Sequence, residues 1–115
     1  MKSIYEWEDP EFEDTRFDLY EVTLSSNKKQ YLLVWIDDEI GIERIDGTGD
    51  SPFLAVEEAR KNGHDQLYRF WVDFSSQFPE LIGENEKELI DIKVKYWKEL
   101  DRYLTKRINQ DWLEW

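Results

Sequence analysis

Six consecutive apolar residues, Tyr31-Leu32-Leu33-Val34-Trp35-Ile36, stand in the first third of the chain. A strand turns successive side chains to opposite faces, so a run apolar at both parities reads as a central strand. That places Gln30–Ile36 in the middle of a sheet. Upstream, Tyr20, Val22 and Leu24 alternate with Glu21 and Thr23, the pattern of a half-buried strand. Downstream, Ile40–Ile45 reads as a short third strand. Ser25–Lys29 and Asp37–Glu39 are polar turns by composition. Short connections of this kind imply an antiparallel meander.

The rest of the chain reads as helix. Asp46-Gly47-Thr48-Gly49-Asp50 is a loop by its glycines. Ser51 then stands as an N-cap, with Pro52 at the first helical position. Asn62-Gly63 closes that helix. Leu67, Phe70, Trp71 and Phe74 follow the i, i+3, i+4, i+7 rule, which predicts a helix over 65–76, with a strand as the alternative. Gln77-Phe78-Pro79 breaks the chain. Ile90, Val94, Trp97, Leu104 and Ile108 then recur along the longest helix, about 84–109. The expected fold is α+β: a three-stranded antiparallel sheet followed by two or three helices. Residues 1–15, acidic and interrupted by Pro10, read as an arm or lead-in with Trp7 as its anchor; residues 16–115 form the single domain.

Charge bounds the partners. The chain has 115 residues, 27 acids and 15 bases, a net charge of −12. Residues 1–22 hold eight acids against Lys2 and Arg16, and residues 37–58 hold eight against Arg44 alone. From Glu84 onward, eight acids meet seven bases. Direct nucleic-acid binding rests on Lys and Arg neutralising phosphates, and these acids oppose it. The same field attracts basic protein surfaces, although an acidic balance also serves solubility alone. There is no cysteine, which excludes disulfides and thiolate chemistry. No apolar run is long enough to span a membrane. A soluble, cytoplasmic protein is expected.

Chemical signatures are sparse. His64 is the one histidine, and no Gly-x-Ser-x-Gly elbow accompanies it, so a surface or capping role is favoured over catalysis. Asp37-Asp38-Glu39, or Asp46 with Asp50, offer oxygen ligands of the kind magnesium takes, but a charged hairpin turn is the favoured reading. Gly47-Thr48-Gly49 precedes a helix, as phosphate-binding loops do, yet Pro52 occupies the place of a third glycine and two aspartates flank the stretch. No cofactor, metal or catalytic residue is expected.

The stretch Gly49-Asp50-Ser51-Pro52-Phe53-Leu54-Ala55-Val56-Glu57-Glu58-Ala59 resembles the strand-to-helix segment of HicB-type antitoxins and related small phage-borne domains. The match covers about a tenth of the chain. The Pro-Gly-Cys-like stretch that usually precedes the loop is missing, and an aromatic helix replaces the DNA-binding domain. The resemblance implies a small αβ domain that masks a basic partner.

Together these features predict a non-enzymatic, acidic protein-binding module of the inhibitor, immunity-protein or antitoxin type, with a basic toxin- or nuclease-like partner. Its expected contact residues are Glu6, Trp7, Glu8, Asp9, Glu11, Asp14, Asp37, Asp38, Glu39, Asp46 and Asp50, with Tyr5 and Tyr20 adding affinity. Trp7, Trp112 and Trp115 stand near the termini among acids, where aromatics serve either as interface anchors or as staples. The alternative is a structural or accessory protein, phage-borne in one version, that forms a homodimer through its C-terminal helix, with Trp112 and Trp115 at the interface.

Overall fold

The computed structural model describes residues 1–10, 14–64 and 66–113, with side chains described as far as residue 100. Four strands form one antiparallel sheet in the order β1-β2-β3-β4: β1 Lys2–Glu8, β2 Thr15–Thr23, β3 Lys29–Asp37 and β4 Ile42–Gly49. Three helices follow: α1 Pro52–Lys61, α2 Leu67–Gln77 and α3 Lys87–Leu113, with a short 3₁₀ turn at Pro79–Leu81. The α+β class holds. The apolar run lies in β3, an interior strand, and residues 67–77 are helical. No described helix is long and apolar enough to cross a membrane.

The three-strand expectation fails at the N-terminus. Residues 2–8 are not an arm but an edge strand, paired from Lys2↔Glu21 to Glu8↔Arg16. Alternation explains it: Tyr5 and Trp7 face the helices, while Glu6 and Glu8 remain exposed. With so few apolar residues among the acids, the period of two is hard to see. Trp7 is only 7% exposed, and its Nε1 donates to Asp73 Oδ2 of α2 at 2.9 Å.

The loop expected at residues 46–50 is also corrected. β4 continues through Gly49, and neither Gly47 nor Gly49 has a positive φ. Their glycine character has another cause. A Cβ on Gly47 would stand 2.0 Å from the Ala55 carbonyl oxygen, and one on Gly49 would stand 2.5 Å from Leu54 Cβ. Helix α1 lies directly on the strand backbone, which only a missing side chain permits. Ser51 caps α1 as expected, its Oγ accepting from Leu54 N–H at 3.2 Å. Glu58, one turn further on, accepts from the Thr48 backbone N–H at 3.3 Å.

The helices stack on one sheet face. Tyr5, Trp7, Phe17, Leu19, Tyr31 and Leu33 meet Phe53, Ala55, Val56 and Ala59 of α1 and Leu67, Phe70, Trp71 and Phe74 of α2 in one core. Rings contact across the layers, Tyr5 on Phe70 at 5.3 Å and Trp7 on Phe70 at 6.0 Å. Helix α3 joins the core through Ile90 and Trp97, whose ring stacks on Phe53 at 5.3 Å. Trp71 and Trp97 are core residues, as their spacing predicts; Trp35 is only half-buried.

Candidate functional site: the acidic end of the sheet

Strand pairing decides which acids meet. β1 ends where β2 begins, and β2 begins where β3 ends: Glu8 pairs with Arg16, Arg16 with Ile36, and Thr15 with Asp37. The Asp38 backbone N–H donates to the Asp14 carbonyl at 2.9 Å. On the other side of β3, Ile36 pairs with Glu43. Two acidic segments more than twenty residues apart therefore converge on one end of the sheet. Glu6, Glu8, Asp9, Asp14, Asp18, Asp37, Asp38, Glu39 and Glu43 gather there.

Local geometry presents some of them and spends others. Asp37 turns inward on its own loop, where its Oδ1 accepts from the Glu39 and Ile40 N–H groups at 3.0 and 3.3 Å. Arg16 Nη1 reaches Asp38 Oδ2 at 2.5 Å. Glu6, Glu8, Asp14, Asp38, Glu39 and Glu43 are exposed, whereas Asp9 is buried. Arg16 is the basic side chain that meets these acids among the described residues.

Asp18 and Glu43 are acids of this region outside the expected contact set, and Asp18 is the buried one. It points to the sheet face opposite the helices, beside Arg16 and Tyr20, and is 2% exposed. Its Oδ2 accepts from the Tyr20 hydroxyl at 3.2 Å. Oδ1 faces Arg16 Nε at 3.6 Å, and neither of those two atoms has a hydrogen bond. Burial pushes the Asp18 carboxyl above its ordinary range, and Glu6 and Glu43 push the same way against Arg16 and Tyr20. Burial and Asp18 together also raise the Tyr20 phenol. The only legible signal for Asp18 was its parity, opposite to Phe17 and Leu19 in a strand.

The same open face carries Val22, Leu32, Val34, Ile36 and Ile45, by the register of Val22↔Gln30, Tyr20↔Leu32, Asp18↔Val34, Arg16↔Ile36 and Val34↔Ile45. Ile45 is 58% exposed there. An apolar strip thus runs into a carboxylate-rich end.

Other expected contact residues lie elsewhere. Trp7 is committed to the core, and Tyr5 packs on Phe70, Phe74 and Phe78, so neither ring is free for a partner. Asp46 is buried on the helix side. Arg44 Nε donates to it at 2.6 Å, His64 Nε2 lies 2.5 Å from its Oδ2, and Asn62 Nδ2 donates to its backbone oxygen at 2.9 Å. This arrangement ties β4 to the turn after α1. It also corrects the surface reading of His64, which sits against Phe17 and Trp35. Asp50 is at the far end of the sheet beside Lys28 and Gln30, and both hold its carboxyl below the ordinary range, Gln30 the more. Glu11 and Trp115 lie outside the described residues, as does the side chain of Trp112.

Comparison with protein-family models, with curated proteins and with solved structures finds no match for this chain. The site's chemistry therefore rests on its own residues. Among the described residues, no group of three or more metal-binding side chains is arranged to hold an ion. Asp46 and His64 are paired, but their neighbours are Arg44, Asn62 and aromatic rings, and none of these supplies the nucleophile that such a pair would activate. What the acidic end offers chemically is a concentration of exposed carboxylates, which attracts positive charge.

Proposed function

We propose that this chain is a non-enzymatic binding protein that neutralises a basic protein partner through the acidic end of its open sheet face. The observation that carries the reading is the convergence of residues 6–9 and 14–18 with residues 37–43, which among the described residues concentrates carboxylates around Arg16. A field of this kind speeds association with a basic surface by about 10–10³. The adjoining strip of Tyr20, Leu32 and Ile45 gives such a partner apolar area to cover once it arrives. The partner class is toxin- or nuclease-like, the role implied by the resemblance of Gly49–Ala59 to HicB-type antitoxins. Glu6, Glu8, Asp14, Asp38, Glu39 and Glu43 are the contact carboxylates; Trp7, Asp46 and Asp50 are withdrawn from that role.

Titration of the isotope-labelled protein with an oligoarginine peptide, followed by amide chemical shifts, tests the surface. Shifts concentrated at residues 6–9, 14–20 and 37–45, and weakening as salt shortens the Debye length below about 10 Å, are expected. Shifts spread evenly over all exposed acids, including Asp50 and those of α3, would sink the reading.

A further inference from the structure

Among its described side chains, helix α3 carries two apolar stripes, and one of them packs on the body. Ile90, Val94 and Trp97 face the body, where Trp97 stacks on Phe53, Arg60 lies over the Trp97 ring and Lys93 Nζ reaches Glu57 at 3.1 Å. Leu89, Ile92 and Tyr96 are 57%, 60% and 60% exposed. At 100° per residue, this second stripe is centred about a third of a turn from the first. A small groove of about 150 Å³ between Phe53, Leu54, Leu89 and Ile90 prolongs it onto α1.

Charge separates α3 from everything before it. Before Glu84 the chain holds 19 acids and 8 bases, a net of −11; from Glu84 on it holds 8 and 7, a net of −1. Two copies meeting through their sheets would bring strongly negative bodies together, whereas two copies meeting through α3 would not. The flank of the exposed stripe is moreover self-complementary: Glu88 and Lys95 lie one heptad apart beside it.

We propose that a second copy of this chain packs on the Leu89–Ile92–Tyr96 face, its α3 antiparallel to the first about a two-fold axis near Ile92. Such an axis repeats each contact twice. It sets Ile92 near its own counterpart, brings Tyr96 of one copy over Leu89 and the α1 groove of the other, and places Glu88 of each within reach of Lys95 of the other. The acidic sheet ends remain outside the contact. This interface is independent of the partner-binding surface, so either proposal can fail without the other.

Light scattering coupled to size exclusion, on the full chain at about 100 µM, tests it. A mass twice the 14.0 kDa monomer is expected, falling to the monomer in Ile92→Glu with an unchanged circular dichroism spectrum. Tyr96→Lys gives the same readout if Ile92→Glu does not fold. Glu88→Lys weakens the dimer about tenfold or more, and Glu88→Lys with Lys95→Glu restores it. A monomeric wild type at that concentration, or a dimer that both stripe variants leave intact, overturns the interface. A charge swap that fails to restore association overturns the antiparallel arrangement.

Discussion

Trp7 and Asp73 are joined by one hydrogen bond, indole nitrogen to carboxylate, across 66 residues of sequence. The bond fastens the first strand to the middle helix, and the ring it orients touches both Phe17 and Phe70. The N-terminal segment is therefore part of the core. Trp7→Ala is expected to cost about 3–5 kcal/mol, the range for emptying a large aromatic site. Asp73→Ala, which removes only the acceptor, is expected to cost about 0.5–1.5 kcal/mol. Urea unfolding of the two variants checks the ratio. Equal and small losses would show β1 to be an appendage.

Two glycines separate steric from conformational need. Gly47→Ala drives a methyl group into the Ala55 carbonyl, and neither strand nor helix backbone can move away without breaking the β4–α1 packing. A loss of about 3 kcal/mol or more is expected, within the tail reserved for overpacking. Gly41→Ala meets nothing within 4 Å, but it sits at φ +70° in the turn before β4. Its expected cost is about 1 kcal/mol. Thermal unfolding of both variants in one buffer checks the order.

Asp18 makes stability depend on pH in a defined direction. Its folded carboxyl holds a proton above the ordinary 3.8, because burial and then Glu6 disfavour the anion. The native state thus binds more protons than the unfolded state just above that value, and stability falls as pH rises through this window. Above the raised folded value the full penalty persists. Asp18→Asn keeps an acceptor for Tyr20 and removes the charge. It is expected to be more stable than wild type at pH 7, with the gap closing toward pH 3. A gap that widens as pH falls would mean that the Arg16 pairing outweighs burial.

The acids around Asp18 should stabilise the fold when removed and weaken partner capture. Glu6→Gln and Glu43→Gln are each expected to raise stability by about 0.2–1 kcal/mol at low salt, the scale of exposed charge interactions. The gain should vanish near 0.5 M salt, where screening acts within about 5 Å. Denaturant melts at two salt concentrations check it; a gain unchanged by salt would point to packing instead of charge.

The sheet-then-helix order was legible because β3 announces itself and α2 shows helical spacing, although its Trp, Val, Tyr and Phe content suits a strand as well. Tyr31–Ile36 is apolar at both parities, and Leu67, Phe70, Trp71 and Phe74 repeat at helical steps. β1 escaped because only Tyr5 and Trp7 mark its inner face, and their acidic neighbours mimic a solvated arm. Gly47 and Gly49 misled because glycine signals a turn and a close backbone approach alike. The acidic segments were visible and are expected to share one contact surface, but which of their acids meet was not legible. That depends on Glu8 lying beside Arg16 and Thr15 beside Asp37, a register that composition does not encode. The burial of Asp46 depends equally on His64 returning from the turn after α1.

The reach of Glu58 to the Thr48 amide has a consequence for how molecules of this chain treat one another in concentrated solution. β4 is a rim strand, and Ile42 and Ile45 leave it greasy. An open rim of this sort invites a foreign strand to zip alongside, the first step toward fibres. Here a carboxylate already occupies one of the amides such a strand would need, and it is anchored on a helix lying flush with the strand. A strand approaching from outside therefore meets a negatively charged stopper before it can lengthen the sheet.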